Sequence, residues 1–255
     1  MPRRPTAAAV VTAATLLTAS ACLARAPEQA RDPLAASDPT DPNASSPPPG
    51  LTETQARAAL IGEADLGAPW KPSEGAATWR DGMLKATTNA APDCQRLLEA
   101  LYTEELLGPP SGSRVVAALD DGDDQAQLRY QIAAHPPADV DRVLAWLRTL
   151  PGTCGEFQAT TTRSGVEAVQ VAELALPTVG DARQGLRVTL TGETDMAGNT
   201  PVLTLEVAAV RVADETIVLT DGALGAVPPQ DSTRRALDVG AQRLTQIRDQ
   251  ARAQA

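Results

Sequence analysis

The chain is predicted to be α+β: an antiparallel, twisted sheet of about six to seven strands with helices packed on one face and one disulfide. Two patterns and one residue pair predict this. Runs in which apolar and polar residues alternate, such as Leu128-Arg129-Tyr130-Gln131-Ile132, recur between residues 114 and 220 and are separated by short turn signals. Stripes at helical spacing, such as Leu97, Leu98 and Leu101, occupy separate segments. Cys94 and Cys154 lie beside two of those helical segments.

Taken in order, residues 1–21 are laid out as a bacterial secretory signal. Arg3 and Arg4 precede an uncharged run of Ala, Val, Leu, Thr and Ser over residues 6–21. That run is shorter than the roughly 20 apolar residues a membrane span needs. Leu16-Leu17-Thr18-Ala19-Ser20-Ala21-Cys22 ends it in the manner of a lipobox, whose cysteine becomes diacylated and N-terminal. Ala19 stands where that motif usually has Leu, and Ala19-Ser20-Ala21 also suits the ordinary signal peptidase. With Cys22 lipidated, the membrane is a partner through the anchor, since two acyl chains hold a protein stably to a bilayer. Residues 22–50 form a Pro/Ala/Asp-rich tether with Pro33, Pro39, Pro42 and Pro47-Pro48-Pro49, too poor in apolar surface to fold. As a coil it would span about 30 Å, and as polyproline about 85 Å.

Residues 51–255 are expected to form a single domain. Thr52-Glu53-Thr54-Gln55 is a capping box, and Gly62 stops the short helix it starts. Residues 66–91 carry Trp70 and Trp79, with one strand expected within 78–88. Pro92 opens a helix through about Leu107, with Leu97, Leu98, Leu101 and Leu107 as its stripe. Strands over 114–119 and 125–134 flank Asp120-Asp121-Gly122-Asp123-Asp124. Asp139 caps a helix bearing Val140, Val143, Leu144 and Leu147, which Pro151-Gly152 ends; Trp146 sits beside its stripe. Period-two strands follow over 156–163, 166–175, 185–192, 201–212 and 216–220. A last long helix starts at Asp231 or Ser232 and aligns Leu237, Ala241, Leu244, Ile247 and Ala251.

The chain has three cysteines. If Cys22 carries lipid, Cys94 and Cys154 can pair, which is the default in an exported protein. Their spacing is unlike the Cys-x-x-Cys arrangement of redox-active pairs.

The order of these parts resembles the actinobacterial sensor-domain lipoproteins, which are related to the extracellular domain of PknH-type receptor kinases. The resemblance rests on the lipobox, the tether, the helix at Leu51-Thr52, and Cys154-Gly155-Glu156-Phe157 entering strands. It also rests on Leu176-Pro177-Thr178-Val179-Gly180-Asp181 and on the strands ending in Val210-Arg211-Val212-Ala213-Asp214-Glu215-Thr216-Ile217-Val218-Leu219. It spans residues 51–248 and implies an α+β domain with a cleft and an extracytoplasmic binding or sensing role. The kinase-type domains have two disulfides, whereas this domain has cysteines for one. The family supplies no catalytic residue.

Little in the chain points to catalysis. His135 is the one histidine, it precedes Pro136-Pro137, and no Gly-x-Ser-x-Gly elbow exists. One His and a paired cysteine set cannot build a zinc site. The Asp120–Asp124 run lacks calcium-loop spacing and reads as a solvated hairpin tip. No phosphate-binding glycine loop occurs, and no cofactor is expected. The net charge of −10 becomes about −12 without Arg3 and Arg4, which argues against nucleic-acid binding. Trp70, Trp79, Gly180 and Asp181 are the candidate cleft-lining residues, although loop and core packing also account for each of them. The expected role is a lipid-anchored module on the extracytoplasmic face that binds a small molecule or envelope component without catalysis. The alternatives are a protein-interaction subunit of an envelope complex and a carboxylate-dependent hydrolase.

Overall fold

A computed structural model describes residues 50–75, 78–122, 125–162, 165–229 and 231–254. The expected signal, Cys22, the tether up to residue 49, and Asp123 and Asp124 lie outside the described residues. In chain order the elements are α1 (Glu53–Ala58), α2 (Glu63–Leu66), β1 (Lys71–Pro72), α3 (Thr78–Leu84), β2 (Ala86–Thr87), α4 (Pro92–Thr103), β3 (Arg114–Asp121), β4 (Ala126–Ala134) and α5 (Pro137–Thr153). They continue with β5 (Glu156–Thr161), β6 (Gly165–Glu173), β7 (Ala182–Thr191), β8 (Val202–Val212), β9 (Glu215–Leu224) and α6 (Ser232–Gln254).

The described strands form one antiparallel sheet of nine in the order β1-β3-β4-β9-β8-β7-β6-β5-β2. Strands β5 to β9 run as a meander, and β9 then docks against β4 rather than at an open edge. The expected six to seven strands are the long ones. The two extra are two-residue edge pieces: β1 pairs with β3, and β2 with β5. Such short runs give no periodicity to read.

Helices cover both faces of the sheet, not one as expected. On one face α4 and α5 bury Leu97, Leu98, Leu144 and Leu147 against Val171, Val188, Leu203, Leu205 and Val207. On the other, α1, α2 and α6 bury Ala56, Leu66, Leu237 and Leu244 against Leu128, Tyr130, Val210, Ile217 and Leu219. The reason lies in β8 and β9. In β8, Leu203, Leu205, Val207 and Ala209 point one way while Ala208, Val210 and Val212 point the other, and both sets are buried. A strand buried on both sides reads as a nearly continuous apolar run. Strand β6 shows the contrast: Val169 and Val171 are buried while Val166, Ala168 and Gln170 are exposed. Each fully buried Leu, Ile or Val contributes about 1.5–3 kcal/mol, so the two-faced strands carry a large share of the core.

Local chemistry explains the other departures. Residues 78–84 form a helix, not a strand: Trp79 and Met83 are one turn apart, and Met83 and Leu84 are buried. Helix α4 ends at Thr103, short of Leu107, because Glu104 takes a left-handed conformation with φ 59°. From there its carboxylate meets Arg80 Nη2 and Arg129 Nε, both at 2.6 Å. Strand β9 runs on past Thr220 to Leu224, carrying Asp221 into the interior. The capping box forms as expected, with Thr52 Oγ1 accepting from Gln55 N and Gln55 Oε1 accepting from Thr52 N.

Helix α6 is held by shape and by charge. Arg243 makes a two-pronged ion pair with Asp65 of α2, and this guanidinium holds the Asp65 carboxyl below the usual range. One turn earlier, Gly240 lets α6 lie directly on Tyr130 of β4. A Cβ at position 240 would sit 1.9 Å from Tyr130 Oη. That hydroxyl is buried and has no hydrogen-bond partner among the described residues. The Cβ would also lie 2.6 Å from Tyr130 Cζ, so Gly240→Ala is expected to lower stability by about 1–3 kcal/mol, and Tyr130→Phe in the same chain, which removes only the hydroxyl, to recover part of it, measured by urea denaturation. A double variant as unstable as Gly240→Ala alone would contradict this contact.

Candidate functional site

The register of the sheet places a row of unlike residues side by side. Leu119, Leu128, Asp221, Glu206 and Arg187 lie opposite one another across β3, β4, β9, β8 and β7. The row runs on the face that α6 covers, and it changes from apolar to charged as it crosses. At its charged end the sheet is open. Arg187 Nη2 and Glu206 Oε1 pair at 2.6 Å, with the arginine side chain 45 % exposed and the glutamate 13 %. They form the floor of a depression of about 320 Å³. Residues 174–177, after β6, form one wall. Val227, Pro228 and Pro229 form another, and Thr233 and Arg234 from the first turn of α6 close the third. Val227 is 59 % exposed.

Behind the floor lies Asp221, with 0 % exposure. Its Oδ2 contacts Ser232 Oγ and accepts from Thr233 Oγ1 at 3.3 Å. Ser232 Oγ also lies 2.7 Å from the Pro229 carbonyl oxygen. Burial pushes the Asp221 carboxyl up to about 7; the Ser232 hydroxyl opposes this, while Glu206 and Asp121 add to it. The depression thus combines a guanidinium and a carboxylate on a strand pair with two apolar walls of Leu, Ala, Val and Pro and a polar third wall from the start of α6. Such a floor can donate to one part of a ligand and accept from another. It does not present a reactive acid pair: Asp221 is sealed from the opening and Glu206 is engaged by Arg187.

The residues singled out from the sequence lie elsewhere. Trp70 is buried among α1, α2 and α6, whereas Trp79 packs half-buried on the opposite face of the sheet. Gly180 has φ 65°, and a Cβ there would lie 2.5 Å from both Arg211 O and Val210 Cγ1, so it lets the loop cross β8 closely. Asp181 accepts from Ala213 N at 2.7 Å and lies 3.6 Å from Arg211 Nη1. None of the four lines the depression. His135 is buried, with Nδ1 2.9 Å from Thr216 Oγ1 and Nε2 3.4 Å from Gly108 O. Asp120 accepts from Ser73 Oγ and Gln127 Nε2. Trp146 donates through Nε1 to Asp93 and carries the Arg96 guanidinium 3.8 Å from its ring centre. Among the described residues, no group of three or more His, Cys, Asp or Glu could hold a metal ion. None of their helices is long and apolar enough to cross a membrane.

Cys94 in α4 and Cys154 at the end of α5 form a disulfide, with Cα atoms 5.5 Å apart and both residues buried. It ties the two helices that cover one face of the sheet.

No family model matches the chain, and no curated protein does. Solved structures similar to it include two mycobacterial proteins. One is the extracellular domain of PknH from Mycobacterium tuberculosis, with 12 % identity over 80 % of this chain and all of that one, and a TM-score of 0.47. The other is an uncharacterized protein of Mycobacterium smegmatis, the Rv0999 ortholog, with 16 % identity over 76 % of this chain and 96 % of that one, and a TM-score of 0.37. At these scores neither says what this chain binds.

Arg187, Glu206, Asp221, Ser232 and Thr233 were not candidates from the sequence. The available signal was a charge inside an apolar strand: Glu206 within Leu205-Glu206-Val207, and Asp221 after Val218-Leu219-Thr220. The disulfide makes the clearest stability prediction of this region. It closes a loop with a sequence separation of 60, so Cys94→Ala with Cys154→Ala is expected to cost up to about 4 kcal/mol. Unfolding curves of the oxidised chain and the double variant that coincide would contradict that role.

Proposed function

We propose that the chain is an exported lipoprotein, held on the extracytoplasmic face of the cell membrane by acylated Cys22. Its single domain over residues 51–255 serves as a non-enzymatic ligand-binding or sensor module. The observation that carries this reading is the buried Cys94–Cys154 disulfide in a chain that opens with a charged, apolar, small-residue-then-cysteine leader. A disulfide persists where the surroundings are oxidising, and the leader is of the kind that delivers a protein there. The tether over residues 22–50 would then hold the domain away from the bilayer. The ligand is a small molecule or envelope component, and the depression floored by Arg187 and Glu206 is where it would bind. Its charged floor, with apolar walls on two sides, supports that choice.

Two measurements test this. Metabolic labelling with palmitate is expected to mark the wild-type chain in the membrane fraction, and Cys22→Ala to abolish the label and release the protein. A variant as firmly bound as wild type would overturn the anchor. For binding, a small-molecule extract of the envelope is expected to shift the NMR signals of Arg187, Glu206 and Thr233 in the lipid-free chain, and Arg187→Ala to weaken the shifts at least tenfold. Shifts confined to other surfaces would overturn the assignment of the depression.

A further inference from the structure

We propose that the depression takes a free α-amino acid with an apolar side chain: Arg187 holds its carboxylate, Glu206 its ammonium, and the two apolar walls its side chain. The inference rests on the reading that a ligand binds in the depression, and it names the chemical class of that ligand.

The floor sets the spacing. Arg187 of β7 and Glu206 of β8 lie directly opposite each other in the register and so share one face of the sheet. Residues placed in this way have Cβ atoms about 4.5–5.5 Å apart. The two side chains meet through one donor and one oxygen, Arg187 Nη2 and Glu206 Oε1. Neither has another hydrogen bond or ion pair among the described residues. A guanidinium has five N–H donors and a carboxylate about four lone-pair sites, so most of both remain for a ligand. In an α-amino acid the ammonium and the carboxylate sit on one carbon. They are close enough to meet both groups of the floor at once. The two ends of a peptide move apart by up to about 3.6 Å with each added residue, so the floor favours the single amino acid.

The charges also have an order and a balance. Asp221 lies opposite Glu206 on the side away from Arg187, and the row reads Asp221, Glu206, Arg187. Its acidic end suits an ammonium and its guanidinium end a carboxylate. On the third wall Arg234 Nε and Asp231 Oδ1 lie 3.7 Å apart. Two guanidiniums and two carboxylates therefore line the depression. A ligand with one sign of charge finds no net attraction there, whereas a zwitterion has both of its charges answered.

The apolar walls decide the side chain. Gly185 lies two residues from Arg187 on the same face of β7, and a Cβ there would be 2.7 Å from Leu176 Cδ2. Without one, Leu176 lies on the strand beside the guanidinium. Pro177, Pro228 and Pro229 have no N–H to offer. The Leu174 N–H already donates to Gly185 O at 3.1 Å, and Pro229 O already accepts from Ser232 N and Oγ. These walls suit an apolar group and give a polar side chain little to bond. The volume of about 320 Å³ suits a small guest, at the lower end of the roughly 300–1,000 Å³ of ligand sites.

The test titrates the lipid-free chain over residues 22–255 with leucine and three relatives, followed by amide NMR signals. Leucine is expected to shift the signals of Leu176, Arg187 and Glu206. N-acetyl-leucine lacks the ammonium and leucinamide lacks the carboxylate. Each should bind at least about tenfold more weakly, the loss of one charge-assisted contact. Glycine, with nothing for the walls to hold, should also bind at least about tenfold more weakly. Glu206→Gln should remove the preference over N-acetyl-leucine and keep that over leucinamide, and Arg187→Ala the reverse. Should either variant not fold, the ligand series on the wild-type chain decides alone. Equal binding of leucine and either blocked form overturns the inference, as does glycine binding as tightly as leucine. If leucine shifts nothing while the envelope extract shifts Arg187 and Glu206, the amino acid is wrong and the depression is still the site. If neither shifts them, both the amino acid and the depression are wrong.

Discussion

The burial of β8 and β9 on both faces is the constraint on which the rest of the structure depends. Their side chains alternate between two helical layers: α6 lies over β8 and β9 on one face, and on the other α5 lies over β6 and β7 and reaches β8, whose Leu203, Leu205 and Val207 complete that core. The edges of the sheet differ in kind. Strands β5 and β6 keep one face solvated, and the two-residue strands β1 and β2 partly cover the outer strands β3 and β5.

That central platform also explains how charges come to lie in a mostly apolar sheet. A strand pair paired over ten residues, as β7 and β8 are, fixes Arg187 opposite Glu206 without help from either side chain. The ion pair itself contributes little stability, since Arg187 is nearly half exposed and such pairs are worth about 0–1 kcal/mol. Asp221, one strand inward, is the opposite case. It is fully enclosed, and an enclosed charge without a cation would cost several kcal/mol. The hydroxyls at the start of α6 meet it instead, so the helix begins beside this sealed acid.

Much of the fold was legible in local signals. The capping box at Thr52-Gln55, Pro92 at the start of α4, the β3–β4 hairpin and the two cysteines each act over a few residues or through one chemical fact. What was misread depends on contacts distant in sequence. The helix at 78–84 buries Met83 and Leu84 beneath a layer that includes α4, and only that layer selects helix over strand. The second helical face was hidden because a run such as Val207-Ala208-Ala209-Val210 looks the same whether one side is covered or both. Trp70 and Trp79 drew attention as large aromatic residues in an irregular stretch, yet the sheet passes between them. Glu206 and Asp221 stand out in the sequence as charges inside apolar runs, but nothing there joins them to Arg187. Only the strand register brings Arg187, Glu206 and Asp221 into one row, and register is set by pairing across the whole sheet.

Native-state hydrogen exchange of the folded chain tests this dependence most directly. If both helical layers rest on β8 and β9, the amides of those two strands should exchange only through global unfolding, with the same denaturant dependence as the whole molecule. The outer strands and α1 should open at lower free energy. Exchange of β8 or β9 by local opening, while α4, α5 and α6 stay protected, would contradict the account.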